Sequence, residues 1–369
     1  AYCYATRAND LLYFLGFDRT PARGALAETA VNEALRLRPD SGEAHLARAD
    51  YDFRCRGDYR AAAAELTIAG PTLPNSAPFY TLSGYIQRRL GHLNNSTREM
   101  ENAVDLDPRN PTAYDLLTDN YVLTRRFAKA EKMDREQAAH TGVDPRLAAA
   151  NEASVDFAAT GGTAKLGAAL RDLPLYIDPG SGYTSLRVLV ALVDGKYAAA
   201  SAALAASRQR DFQDVDASFH YSREWYEALI ARAAGEHARM FTAFAAARKV
   251  LIDRPDQVTQ GPRGLAVLAQ IDAGLGDKDL ALREGREAVD QMPISRDAYD
   301  GPLVLQGLAQ VYVWTGDKDK ALAALATLVR VPGYLSYGYL LRDPIWAPLR
   351  GDPRFTQMVD AMAPKAPAP

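Results

Sequence analysis

Apolar residues recur along this chain at three- and four-residue spacing in short stretches separated by polar turns, which predicts amphipathic helices in succession. Leu46, Ala49 and Phe53 form one stripe, and Tyr59, Ala62, Leu66 and Ala69 form the next, with Gly57 between them and Pro74 behind. The same offsets return around Gly91: Tyr80, Ser83, Gly84 and Gln87 precede it, Leu93, Ser96, Met100 and Ala103 follow, and Pro108 ends the run. The shift between the two is 34 residues. A turn glycine lets the chain reverse in the left-handed region. Proline, with no N–H and a fixed φ, stops the second helix, as at Pro39, Pro74, Pro108 and Pro293.

Followed along the chain, the turn position falls on Gly57, Gly91, Arg125, Gly161, Gly195, Gly235, Gly276 and Gly316, at spacings of 34, 34, 36, 34, 40, 41 and 40. An earlier, degenerate unit has Leu12, Leu15 and Gly16 before its loop and Ala27, Val31, Ala34 and Pro39 after it, which brings the expected number of helical hairpins to about nine. The unit around Gly161 has the weakest pattern. Small residues at Ala62, Ser96, Ala130, Ala200, Ala281 and Ala321, each five after the turn, mark where two helices touch. The longer later period places extra residues between hairpins, predicting loops near Asp211 to Ala217, Arg254 to Gln260 and Ser295 to Gly301.

A 34-residue helix-turn-helix with these small, aromatic and proline positions resembles the tetratricopeptide repeat, over roughly residues 8 to 332. Departures are Asp50 and Thr118 at positions where the family prefers a small residue, and Arg125 at a turn glycine. The resemblance implies an all-α fold, an α-α superhelix whose first helices line a concave groove, and a non-catalytic protein- or peptide-binding function. The ending, Leu341 to Phe355, is too proline-rich for another hairpin. Its Asp-Pro, Trp, Pro-Leu and Asp-Pro-Arg-Phe resemble the close of bacterial arrays appended to winged-helix regulators, kinases and adenylate cyclases, which implies a signalling context by analogy. Trp346, Leu349 and Phe355 are expected to cover the last hairpin. The expected organisation is a degenerate first hairpin (1–40), repeats of about 34–36 residues (41–206), repeats of about 40 (207–335), a cap (336–362) and a disordered tail (363–369). The chain starts without Met inside a helix-like stretch, which suggests a piece of a longer polypeptide.

Composition narrows the chemistry. A net charge of −3 lacks the basic excess that direct nucleic-acid binding requires. The two cysteines, Cys3 and Cys55, make no metal spacing or disulfide framework and read as buried small side chains. No apolar run is long enough to span a membrane. His45, His92, His140, His220 and His237 include no pair at metal-ligand spacing. Neither Gly161-Gly162 nor Gly180-Ser181-Gly182 fits a phosphate loop or a nucleophile elbow. No cofactor or enzymatic activity is expected, and the compartment stays open between cytoplasm and periplasm.

By phase, the groove candidates are Arg48, Tyr51, Arg54, Tyr85, Arg88, Asp115, Asp119 and Asn151, followed by Trp225, Arg232, Gln270, Gln306 and Gln310. Arginines here can grip acidic groups while tyrosines give flat contact area; the alternative is a solvated charged face. Phe219, His220, Tyr221, Trp225 and Tyr226 form the densest aromatic cluster, read as core or as a binding hot spot. A monomer or weak homodimer is expected, with self-association or a regulatory sensor role as competing readings.

Overall fold

A computed structural model describes residues 1–178, 182–213, 219–253 and 261–364. Over these residues the chain is all-α apart from one pair of short strands. Gly180 and Ser181, the expected loop at 254–260 and tail residues 365–369 lie outside them.

Each turn position found in the sequence is a left-handed residue. Gly16, Gly57, Gly91, Gly161, Gly195, Gly235, Gly276 and Gly316 have φ between +61° and +85°, and Arg125 joins them at +58°. Six turns carry the same bond from the residue after this position back to a carbonyl near the helix end, as His92 N–H to Gln87 O and Lys196 N–H to Ala191 O. Helix starts are equally legible: Thr20, Ser41, Asp58, Ser76, Ser222, Asp277 and Asp317 each accept a backbone N–H three residues on. Such caps stabilise a helix by about 1 kcal/mol each. The small residues five after the turn, Ala62, Ser96, Ala130, Ala200, Ala281 and Ala321, are all fully buried. The pattern yields nine hairpins among the described residues.

Two compact units divide the chain. The first, residues 1–120 with 295–298, holds α1 (Tyr2–Phe14) with α2 (Pro21–Leu37), α3 (Gly42–Tyr51) with α4 (Tyr59–Ala69), α5 (Ala77–Arg89) with α6 (Leu93–Leu106), and most of α7 (Pro111–Leu123). A π-helical turn, Asp52–Arg56, extends α3. Phe53 sits among Phe14, Tyr59 and Tyr85, with ring centroids 5.7 to 5.8 Å away. Residues 295–298 attach here through Asp297, which accepts from Arg89 Nη1 at 2.8 Å and from the Tyr59 hydroxyl at 2.7 Å.

The second unit, residues 121–294 with 299–369, holds α8 (Phe127–Thr141), α9 (Pro145–Thr160), α10 (Thr163–Asp172), α11 (Gly182–Val193), α12 (Tyr197–Ala206), α13 (Arg223–Ala233), α14 (His237–Ile252), α15 (Pro262–Leu275), α16 (Lys278–Gln291), α17 (Asp300–Trp314), α18 (Lys318–Leu328), α19 (Tyr337–Arg342) and α20 (Pro353–Met362). Two sequence expectations change here. The inserted segment at Asp211 starts as β1 (Asp211–Gln213), paired antiparallel with β2 (His220–Ser222), because Phe212 and Phe219 gain full burial beside Tyr226 in this form. Asp300 and Gly301, expected in a loop, already belong to α17.

The cap does what its residues imply: Trp346, Leu349 and Phe355 are buried in one core with Leu322, Leu325 and Val311 of the last hairpin. It also reaches further back in the same unit. Gly338 on α19 lies so close to α9 that an added Cβ would fall 1.8 Å from the Phe157 carbonyl oxygen, so only glycine fits. Tyr339 meets the Phe157 ring edge to face at 5.2 Å. Arg125 explains its own exception: from the turn after α7 its Nη2 lies 3.1 to 3.3 Å from the carbonyls of Leu328, Val331 and Leu335. A left-handed non-glycine residue costs about 1 kcal/mol, and these charge-assisted bonds offset it.

Candidate functional site

The candidate arginines of the first unit share one arrangement, a carboxylate on one side and a ring on the other. Arg48 donates through Nε to Asp52 at 3.0 Å and stacks on Tyr51 at 5.5 Å. Arg54 donates to Asp50 and lies 5.2 Å from the Phe14 centroid. Arg88, 3% exposed, is 3.5 Å from Asp119 and 5.4 Å from the Tyr85 centroid. Asp52 is shared, since Arg56 also reaches it at 3.0 Å. Asp115 is exposed one turn before Asp119 on α7. Burial pushes the Tyr85 phenol up from its ordinary value.

Beneath this row lies a group that sequence phase did not single out. Asp10 on α1 is fully buried, accepts the Cys55 S–H at 3.1 Å, and leaves Oδ2 without a hydrogen bond among the described residues. Desolvation raises its pKa to about 7, with the Asp50 charge adding to the shift. An acidic residue inside an apolar helix stripe was the available signal.

In the second unit Asn151 accepts the Tyr183 hydroxyl at 2.7 Å. Phe219, Trp225 and Tyr226 are buried in a common core with Tyr221 packed against it, so this cluster is core. Arg232 differs from the first-unit arginines. Its guanidinium stacks on Trp314 at 4.5 Å, and the Met240 sulfur at 3.9 Å is its one acceptor among the described residues. Desolvation holds its pKa below the usual arginine value. Gln270 and Gln310 are buried, and Gln270 Oε1 and Gln310 Nε2 have no hydrogen-bond partner among the described residues; Gln306 is half-buried. Trp314 escaped sequence reasoning because a Trp near a turn reads as packing.

Among the described residues no group of His, Cys, Asp or Glu side chains could hold a metal ion, and no helix is long and apolar enough to cross a membrane.

These features define an α-helical repeat protein, an array of tetratricopeptide-like hairpins with a C-terminal cap. No family model matches the chain, and no curated protein matches it. Solved structures similar to it include PilW, described as a widely conserved type IV pilus biogenesis factor (15% identity, TM-score 0.44, covering 58% of this chain and 95% of that one). A tetratricopeptide repeat protein from Parabacteroides merdae (13%, TM-score 0.35, covering 87% and 98%) and the Cut9–Hcn1 hetero-tetramer of the APC/C (14%, TM-score 0.39, covering 95% and 61%) are also similar.

Proposed function

We propose that this chain is a non-catalytic scaffold that binds a protein or peptide along the first helices of its hairpins. The observation that supports this reading is the row Arg48–Tyr51, Arg54–Phe14 and Arg88–Tyr85, in which each guanidinium is held in place by Asp52, Asp50 or Asp119. Side chains fixed this way lose little entropy on contact with a partner, and Arg and Tyr are the residue types that anchor interfaces. Asp115 and Asn151 extend the candidate surface within their own units.

The test is selection of a random peptide library, displayed with blocked C-termini, on the whole immobilised chain. Convergent sequences that bind as free synthetic peptides are expected; a library that never converges overturns the reading. The Asp-Pro, Trp and Asp-Pro-Arg-Phe ending supports a finer one, a module of a larger bacterial signalling protein. Sequencing upstream of Ala1 is expected to reveal an in-frame catalytic or DNA-binding domain, and a start codon at Ala1 would exclude it. A monomer or weak homodimer is expected by light scattering over a concentration series, and a stable higher oligomer would contradict this.

A further inference from the structure

Arg54, Arg88 and Arg232 stand at one repeat position, each three residues before its turn glycine, Gly57, Gly91 and Gly235. Arg88 finds its carboxylate on the next hairpin: Asp119 lies six residues before the turn residue Arg125. The residue at that place relative to Arg232 is Gln270, six before Gly276. Where the first unit supplies an anion, the second supplies a neutral amide. Gln310, six before Gly316, repeats the substitution one hairpin later.

We propose that Arg232, Gln270 and Gln310 form a subsite that takes an acidic side chain of an extended peptide segment, the peptide supplying the carboxylate that the fold omits. This rests on the peptide-binding reading above and deepens it. In the same unit Arg125, Arg187, Arg223, Arg248 and Arg263 all reach oxygen acceptors, either backbone carbonyls or the carboxylates of Asp272 and Asp300. Among the described residues Arg232 reaches only a thioether and a ring face. A ring face offsets part of the cost of drawing a guanidinium out of water but satisfies none of its N–H groups.

The three groups are linked through α17. The Gln270 amide lies against Gly307, where an added Cβ would fall 2.8 Å from Nε2, and Gln310 follows Gly307 by one turn and precedes Trp314 by another. The unmet valences fit one ligand class. Among the described residues Gln270 Oε1 lacks a donor and Gln310 Nε2 lacks an acceptor, the pair that a peptide bond offers with its N–H and C=O. A phosphate or a free carboxylate brings no N–H for the first. An internal Asp or Glu beside that peptide bond meets all three needs.

The experiment uses peptides selected on the full chain, each remade with every Asp or Glu changed singly to Asn or Gln. One acidic position is expected to be required, its amide weakening binding by about tenfold or more. That discrimination should vanish in Arg232→Gln and shrink in Arg232→Lys, which keeps the charge but loses the fork. Gln270→Glu, which places in the chain the carboxylate that Asp119 gives Arg88, should block the acidic peptides while leaving the fold intact by circular dichroism. Peptides with no required acidic residue overturn the proposal, as do peptides that bind Gln270→Glu and Arg232→Lys as tightly as the wild type. Acidic peptides that respond only to Arg54 or Arg88 variants sink this subsite while sparing the scaffold reading. A library that fails to converge sinks both. If Arg232→Gln fails to fold, the Arg232→Lys and Gln270→Glu comparisons decide alone.

Discussion

Arg88 and Arg232 occupy the same place in their repeats and stack on Tyr85 and Trp314 respectively, but Arg88 is buried beside Asp119, whereas Arg232 is half-buried and has no anion among the described residues. The first unit spends its arginines on its own carboxylates, at Asp50, Asp52, Asp119 and Asp297. A buried ion pair is weak evidence of stability but costly to break, because the surviving charge is stranded. The second unit leaves one half-buried guanidinium, that of Arg232, without an anion among the described residues. Repeat phase alone cannot tell these cases apart, since the partner stands on another hairpin and its identity is free to vary.

The largest expected effect lies on the paired side. Asp297→Ala leaves Arg89 buried without its anion and removes the acceptor of the Tyr59 hydroxyl, so it should cost about 3–5 kcal/mol in urea denaturation. A loss below about 1 kcal/mol would mean that this pair is solvated and that the contrast between units is smaller than drawn. Next, Arg125→Gly relieves the left-handed backbone but removes the bonds to Leu328, Val331 and Leu335. It should cost about 2 kcal/mol net, and a gain in stability would show that the turn strain outweighs them.

An effect of similar size concerns Asp10, a fully buried carboxyl of the first unit that accepts the Cys55 S–H. Its folded pKa of about 7 exceeds the unfolded 3.8. The folded state therefore holds the proton more tightly, its contribution is fully present below about pH 4, and stability is lost as pH rises toward 7. Asp10→Asn should remove this slope and raise stability by about 2 kcal/mol above neutral pH. An unchanged pH profile of the melting temperature would count against it. The smallest effect sharpens the comparison most: Arg232→Met, which keeps an apolar contact on Trp314, should change stability by less than about 1 kcal/mol. A loss as large as that of Asp297→Ala would show that Arg232 has a structural partner after all.

Much of the fold was legible because hairpin packing is a local rule. The turn residue must be left-handed, and the residue five later must be small, as full burial of Ala62 through Ala321 bears out. Arg125 stood out in the sequence as a missing glycine, but its reason lies some 200 residues away in Leu328, Val331 and Leu335, beyond any periodicity. The strand pair at Phe212 and Tyr221 escaped for a similar reason: its burial depends on Tyr226 in the next helix. Of the candidate site, phase found the arginines and glutamines; the carboxylate beside Arg88 comes from another hairpin, which no periodicity encodes.

The close approach of Gly338 to Phe157 and Gly161 bears on how this protein can evolve. In an open repeat array each hairpin answers only to its neighbours, so units can be duplicated or deleted at the cost of one interface. In the second unit, α19 is keyed to α9, and the carbonyls at the end of α18 and in the segment leading to the cap are keyed to Arg125. Inserting or removing a hairpin between them would shift one half of each lock away from the other. The number of repeats from α9 to the cap is therefore fixed by geometry, and change in this stretch is confined to substitutions and to the connecting loops.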